Sequence, residues 1–233
     1  METKNAFDVL MKRHKMKDDD HTIEEKKNET EKVDAISELM KTSSHCSTQR
    51  RSLPKGLMLK FDVVHNGREI IKCLRETSGW SPVGSAVASR RVLHFGYIYN
   101  YSSGIKKELI KSSIPIPDFL QPLNQIAKDL TGISFDQCLV NEYLPGQGIS
   151  RHIDKSDLFG GTVACFSVGS SAIIQFRHPS TEECIDVAIP ENSLYVMQGE
   201  ARYVWTHEMP ARLRDGTKYR STRYSITFRH TKI

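Results

Sequence analysis

The sequence predicts a mostly β protein with flanking helices, a jelly roll that follows a disordered N-terminal tail. Three observations support that expectation. From Gln137 onward, short runs rich in β-branched and aromatic residues alternate with turn residues, the pattern of a jelly roll. Between Leu57 and Thr131 strand-like runs alternate with two amphipathic helix-like runs. Residues 1 to 52 carry charge clusters such as Lys17-Asp-Asp-Asp20 and Glu24-Glu-Lys-Lys27, with Phe7 as their only aromatic. So few large apolar groups cannot offset the entropy of ordering a chain.

Taken in order, the tail offers one short amphipathic candidate helix (Val33, Ile36, Met40), through which a protein partner could bind. Its basic runs Lys12-Arg-His-Lys15 and Gln49-Arg-Arg51 are either solvated or contacts for nuclear import or nucleic acid. Order is expected over 53–233, as one domain with an N-terminal part to about 136 and a jelly-roll core from about 137. Leu57-Met-Leu-Lys-Phe61 reads as a strand, and a helix follows through Glu69 to Thr77 with Gly79 as its stop. Val92 to Tyr101 reads as one strand, with Tyr97, Tyr99 and Tyr101 on one face. Pro117 to Thr131 reads as a helix burying Leu120, Leu123, Ile126, Ala127 and Leu130, ended by Gly132. The jelly-roll strands are then Gln137–Tyr143, Thr162–Val168, Ala172–His178, Cys184–Ile189, Ser193–Met197 and Ser221–Arg229. Pro145-Gly-Gln-Gly148 and Gly160-Gly161 supply loops.

Composition narrows the class. A length of 233 residues suits one domain plus a tail, and a net charge of +5 permits contact with nucleic acid without demanding it. Five cysteines without a Cys-x-x-Cys spacing argue for a reducing compartment, and against both a disulfide framework and a zinc site. No apolar run approaches the roughly 20 residues of a membrane span, and the N-terminus lacks the layout of a signal peptide. A soluble intracellular monomer, nuclear and/or cytoplasmic, is expected.

The chemistry concentrates in Asn141-Glu-Tyr-Leu-Pro-Gly-Gln-Gly-Ile-Ser-Arg-His152-Ile-Asp154. In extended chain the period of two points His152 and Asp154 to one face. One more donor would complete a facial set, and His207 in Trp205-Thr-His-Glu-Met209 can provide it. Two histidines and one carboxylate with open positions opposite are the ligand pattern of non-haem Fe(II) oxygenases. His152 and Asp154 are expected just beyond one strand and His207 past another on the opposing sheet, brought together at the open end of the roll. On the last strand, Arg223, Ser225, Thr227 and Arg229 share a face. That face is either solvated or an anion cradle, because guanidinium forks bind carboxylates bidentately and hydroxyls fill the remaining acceptor sites. Oxygenases of this ligand type commonly take the dicarboxylate 2-oxoglutarate as cosubstrate. Among other titratable groups, His178 is expected in a turn, His65 and His230 at the surface, and His94 in strand packing or near substrate. Glu208 either orients the site or is solvated.

Asn141-x-Tyr143-x-Pro-Gly, His152-x-Asp154, His207 and Arg223-x5-Arg229, in that order, resemble the AlkB family of Fe(II)/2-oxoglutarate dioxygenases. The resemblance covers roughly Arg90 to Arg229. Its wording is closest to the tRNA-modifying branch, in Arg90-Arg-Val-Leu-His-Phe-Gly-Tyr97, Pro145-Gly-Gln-Gly-Ile149 and Gly199-Glu-Ala-Arg-Tyr-Val-Trp205-Thr-His207. It implies a double-stranded β-helix with Fe(II) held by His152, Asp154 and His207. It implies 2-oxoglutarate held by Arg223 and Tyr143 at the 5-carboxylate and by Asn141 and Arg229 on the 1-carboxylate side, with O2 as co-reactant. Tyr97 matches a substrate-contacting tyrosine, and aromatic faces such as Tyr99 with the basic neighbours Arg90 and Arg91 suit an extruded base and its phosphate. The family's repair enzyme has an acid two positions after the ligand aspartate, where this chain has Ser156 followed by Asp157. It has an asparagine where this chain has Ser225. The first departure weakens any inference to repair of methylated adenine or cytosine. Three readings follow: oxidation of modified bases in single-stranded DNA, RNA or tRNA, an oxygenase acting on a protein side chain, or a binding module recruiting partners through its tail.

Overall fold

The computed structural model describes residues 52–84, 89–99 and 109–233. The expected tail through residue 51, with its short helix and basic runs, and Tyr101 lie outside the described residues.

The described chain begins with β1 (Leu57–Lys60), α1 (Gly67–Glu76), β2 (Ser81–Pro82), β3 (Arg91–Phe95) and the hairpin β4 (Tyr97–Tyr99) and β5 (Leu109–Lys111). A 3-10 turn at Asp118–Leu120 leads into α2 (Gln121–Thr131), which Gly132 closes at φ +73° with its N–H on the Lys128 carbonyl. The remaining strands are β6 (Gln137–Tyr143), β7 (Ile149–His152), β8 (Phe159–Val168), β9 (Ala172–Arg177), β10 (Cys184–Ile189) and β11 (Ser193–Met197). They continue through α3 (Gly199–Tyr203), β12 (Thr206–Met209), the hairpin β13 (Arg214–Asp215) and β14 (Lys218–Tyr219), and β15 (Arg223–Thr231).

The strands form a seven-stranded sheet, order β1-β11-β8-β15-β6-β3-β2, and a four-stranded sheet, order β10-β9-β12-β7. This is the jelly roll the alternating pattern predicts. Alternation along β15 divides the molecule's two cores. Tyr224, Ile226 and Phe228 join Val140 and Phe166 against Ile70 and Leu74 of α1 and Leu123 and Ala127 of α2. The opposite face of the large sheet contributes Tyr143, Val163 and Cys165, packed with Ile174, Phe176 and Val187 of the small sheet. Burying Ile226 and Phe228 completely stabilises the fold by roughly 2 kcal/mol each.

Several expectations change. The strand expected over Val92–Tyr101 breaks at Gly96, whose φ of +76° and approach to the Asp136 carbonyl leave no room for a Cβ. The break sends β4 out of the large sheet into its own hairpin with β5. β7 and β12 were not expected as strands, and they carry the two histidines. His152 ends β7, and His207 lies inside β12 directly across from it. The pair therefore meets as cross-strand neighbours in one small sheet, rather than across the open end of two. The large sheet takes strands from both sides of residue 137, because β1 and β3 pair with β11 and β6. Cys73, Cys138 and Cys165 carry free thiols, and no described helix is long and apolar enough to cross a membrane.

Candidate active site

The two sheets enclose a cavity of about 360 Å3 whose wall includes His152, Asp154 and His207. Cross-strand pairing brings the imidazole centroids to 4.3 Å. His152 Nδ1–H donates to the Ser150 carbonyl at 2.8 Å. Because a carbonyl only accepts, the proton sits on Nδ1, and Nε2 keeps its lone pair for another partner. Asp154 follows the end of β7, and its Oδ1 accepts a 2.6 Å bond from Arg229 Nη2. Its Oδ2 lies 4.0 Å from His207 Nε2, too far for a hydrogen bond.

Electrostatics set the protonation states. Burial alone would raise the Asp154 carboxyl, but Arg229, then His207 and His152, outweigh it and hold the group well below the usual carboxylate range. Burial, reinforced by His152, pushes His207 down to about 3 against the pull of Asp154. At neutral pH the carboxylate is charged and the His207 imidazole neutral, the forms that ligate divalent ions. His207 Nδ1 is buried without a hydrogen-bond partner. Among the described residues no three His, Cys, Asp or Glu side chains already close on a single point as a finished metal site. The donor types, their protonation and their adjacency nonetheless fit an iron ion held by His152, Asp154 and His207.

The polar face of β15 is not solvated. Arg223, Ser225, Thr227 and Arg229 are all buried and all line the cavity. Arg223 Nε donates to Ser167 Oγ at 2.8 Å, its Nη1 lies 3.9 Å from Met209 Sδ, and its guanidinium sits over the Tyr143 ring. Its Nη2 has no partner. A buried cation with a donor left over suits an anionic partner. A dicarboxylate whose far end reaches Arg223 fits this wall. The other expected cradle members differ in detail. Arg229 has Asp154 as a partner, which the sequence did not indicate. The Ser225 and Thr227 hydroxyls engage Cys165 Sγ at 3.0 and 3.4 Å, so the thiol takes up acceptor and donor capacity expected for a ligand. Asn141 Oδ1 accepts from Arg90 Nε at 3.0 Å.

At the mouth the substrate expectations divide. Tyr99 lines the cavity, with its ring 6.4 Å from that of Phe159. Tyr97 is not part of the wall, and its carbonyl accepts a long contact from Gln137 Nε2. Of the two basic neighbours, Arg90 lines the cavity and Arg91 does not. Period-two alternation places Arg91 on the helix-covered face of β3, bonded to Glu142 and stacked over Trp80, while Arg90 enters the cavity wall. Ser156 and Asp157 are exposed in a turn and do not line the cavity; Lys155 does. Glu208 lines it too, paired with Arg151 at 3.4 Å. His178 caps a turn against Trp205, His65 and His230 are exposed, and burial followed by Arg229 pushes His94 down to about 4. Residues the sequence did not single out include Tyr195, Ser167 and Arg202. The first two are ordinary strand residues in sequence, legible only once β8 and β11 are paired with each other.

The model of the 2OG-Fe(II) oxygenase superfamily matches residues 64–229. The Xenopus tropicalis protein named tRNA (carboxymethyluridine(34)-5-O)-methyltransferase alkbh8 is 32% identical over 209 residues, covering 78% of this chain and 32% of its own. This chain thus spans about a third of that relative. An uncharacterized protein, L905, of Acanthamoeba polyphaga mimivirus is 38% identical over 141 residues, 57% of this chain and 67% of its own. The solved structure of OsALKBH1 shares the fold, with a TM-score of 0.58 at 19% identity, over 77% of this chain and 100% of that one.

Proposed function

Because this chain belongs to the 2OG-Fe(II) oxygenase superfamily, as an AlkB-family 2-oxoglutarate-dependent dioxygenase, we propose that it oxidises alkylated or modified nucleobases in DNA or RNA, tRNA included. The observation that carries the site assignment is the buried Arg223 Nη2 without a partner, in the same cavity as His152, Asp154 and His207. In this reading His152, Asp154 and His207 hold Fe(II), and Arg223 pairs with the distal carboxylate of 2-oxoglutarate beside Tyr143. Iron and 2-oxoglutarate, once bound with O2, supply the oxidising power, as cofactors do.

The protein's own residues orient and select. Arg229 keeps Asp154 ionised and fixes one of its oxygens. The Ser150 carbonyl accepts from His152 Nδ1–H and so orients the imidazole. Asn141, tied to Arg90, lies on the side where the 1-carboxylate would sit. Tyr99 offers an aromatic face at the mouth, and Arg90 and Lys155 add positive charge that suits a base and its phosphate. Oxidation of an N-methyl group would release formaldehyde, whereas oxidation of a uridine side chain would leave a stable hydroxyl. A nucleic-acid substrate suits the expected location in the nucleus and/or cytoplasm.

The test is a mass-spectrometric screen of the full chain with Fe(II), 2-oxoglutarate and O2, offered methylated single-stranded DNA, methylated RNA and bulk tRNA. A His152→Ala, Asp154→Ala double variant runs beside it. The proposal expects a nucleoside to lose a methyl group or gain one oxygen, and the variant to leave all three polymers unchanged. Succinate formed while every nucleic acid stays untouched would overturn the base-oxidation reading and favour a protein substrate.

A further inference from the structure

Arg202 in α3 is, at 1% exposure, the most deeply buried arginine among the described residues. A buried guanidinium is costly unless its donors are satisfied. All four of its hydrogen bonds go to main-chain carbonyls. Nη1 donates to Asp154 at 2.7 Å, Nη2 to Lys155 at 3.2 Å and Phe159 at 3.3 Å, and Nε to Gly160 at 3.1 Å. These carbonyls flank the loop that joins β7 to β8: Asp154 and Lys155 lie at its start, and Phe159 and Gly160 are the first residues of β8. One planar fork therefore holds both ends of the loop, a grip that neither an apolar plug nor a point charge supplies.

The clamp has a fixed support. Around α3, Gln198 N–H and Ala201 N–H donate to the Gly56 and Lys55 carbonyls, each at 2.9 Å. From the other side, Arg229 holds Asp154 Oδ1 and lies 4.7 Å from the Phe159 ring centroid. The main chain and the side chain of Asp154 are thus held by different arginines, and Oδ2 is left directed at His207.

We propose that Arg202 is a positioning residue for the metal site, holding the Asp154 main chain so that Oδ2 is presented to the two histidines and a divalent ion binds tightly. This inference rests on Asp154 being a ligand. Outer partners of metal ligands typically change affinity by about 10- to 100-fold, and a shift in that range is expected here.

The experiment is Mn(II) titration of the full chain, followed by electron paramagnetic resonance without 2-oxoglutarate, beside thermal unfolding of each protein. Arg202→Lys keeps the charge but cannot hold both ends of the loop, and Arg202→Gln keeps only an amide donor. Both are expected to bind Mn(II) at least about tenfold more weakly. Asp215→Asn loosens a different buried arginine cluster and is expected to bind within about twofold of wild type despite its lower stability, since it is no partner of the metal ligands. Asp154→Ala separates the two levels of inference. If Asp154→Ala fails to bind while either Arg202 variant binds like wild type, the clamp is overturned and the ligand reading stands. If the Arg202 variants weaken only as much as Asp215→Asn, Arg202 merely supports the fold and the proposal is overturned. If Asp154→Ala binds like wild type, the ligand reading itself fails and takes the clamp with it.

Discussion

Arg223 is where sequence and structure agree on a residue whose surroundings call for a ligand. Its position on an Arg-x5-Arg strand left open whether it faced solvent, and burial to 4% exposure with an unpartnered Nη2 decides that it faces the cavity. Losing a charge-assisted bidentate contact costs on the order of 3 kcal/mol. Arg223→Ala is therefore expected to raise the 2-oxoglutarate concentration needed for half-maximal turnover by about a hundredfold or more. An unchanged requirement in a steady-state titration would remove Arg223 from the cradle. His152, Asp154 and His207 were legible for the same reason, since their chemical types are rare and their spacing informative. Arg90 and Arg91 were both legible as basic neighbours, but which of them turns inward was not, because that depends on the register of β3, which is fixed by pairing with β6.

At the scale of elements, the long apolar strands were read to within three residues at their ends, whereas β7 and β12 were missed. Ile-Ser-Arg-His and Thr-His-Glu-Met are too short and too polar to carry a strand signal. They are strands because β12 pairs with β9 on one side and β7 on the other. Gly96 misled in the opposite sense, since a lone glycine in a strand-like run does not announce that a neighbouring carbonyl occupies the space of its Cβ. The β13–β14 hairpin depends on Asp215, which accepts bonds from Arg212 Nε at 2.7 Å, Arg220 Nε and Nη2 at 2.7 and 2.8 Å, and Ile173 N–H at 3.2 Å. Breaking such a buried pair from one side costs about 3–5 kcal/mol. Asp215→Asn is expected to lose at least about 3 kcal/mol in urea unfolding at neutral pH. Burial works against the Asp215 carboxylate, but bonding to Arg220 and the charges of Arg220 and Arg212 depress its pKa in the folded state. A depressed carboxylate contributes stability that is present above its unfolded pKa of about 3.9 and lost as pH falls towards the folded value. The gap between wild type and Asp215→Asn should therefore hold steady at neutral pH and narrow below about pH 4. A gap that widens in acid would contradict the assigned pairing.

Over the whole molecule, the sequence disclosed a roll because its strands alternate. It did not disclose that both faces of the large sheet are covered, one by helices and the other by the small sheet. That double burial turns the polar face of β15 from a wet surface into a cavity wall, and it sets two imidazoles, a carboxylate and an arginine around one volume. The central claim is that this volume takes Fe(II) and 2-oxoglutarate together. Its most direct test is the charge-transfer absorption that appears when 2-oxoglutarate chelates Fe(II), recorded without oxygen on the full chain and on His207→Ala. The account predicts the band in wild type, at 2-oxoglutarate saturation, and its loss in His207→Ala. A wild-type protein that shows no band, or a His207→Ala variant that keeps it at full strength, would contradict the assignment of this cavity as the active site.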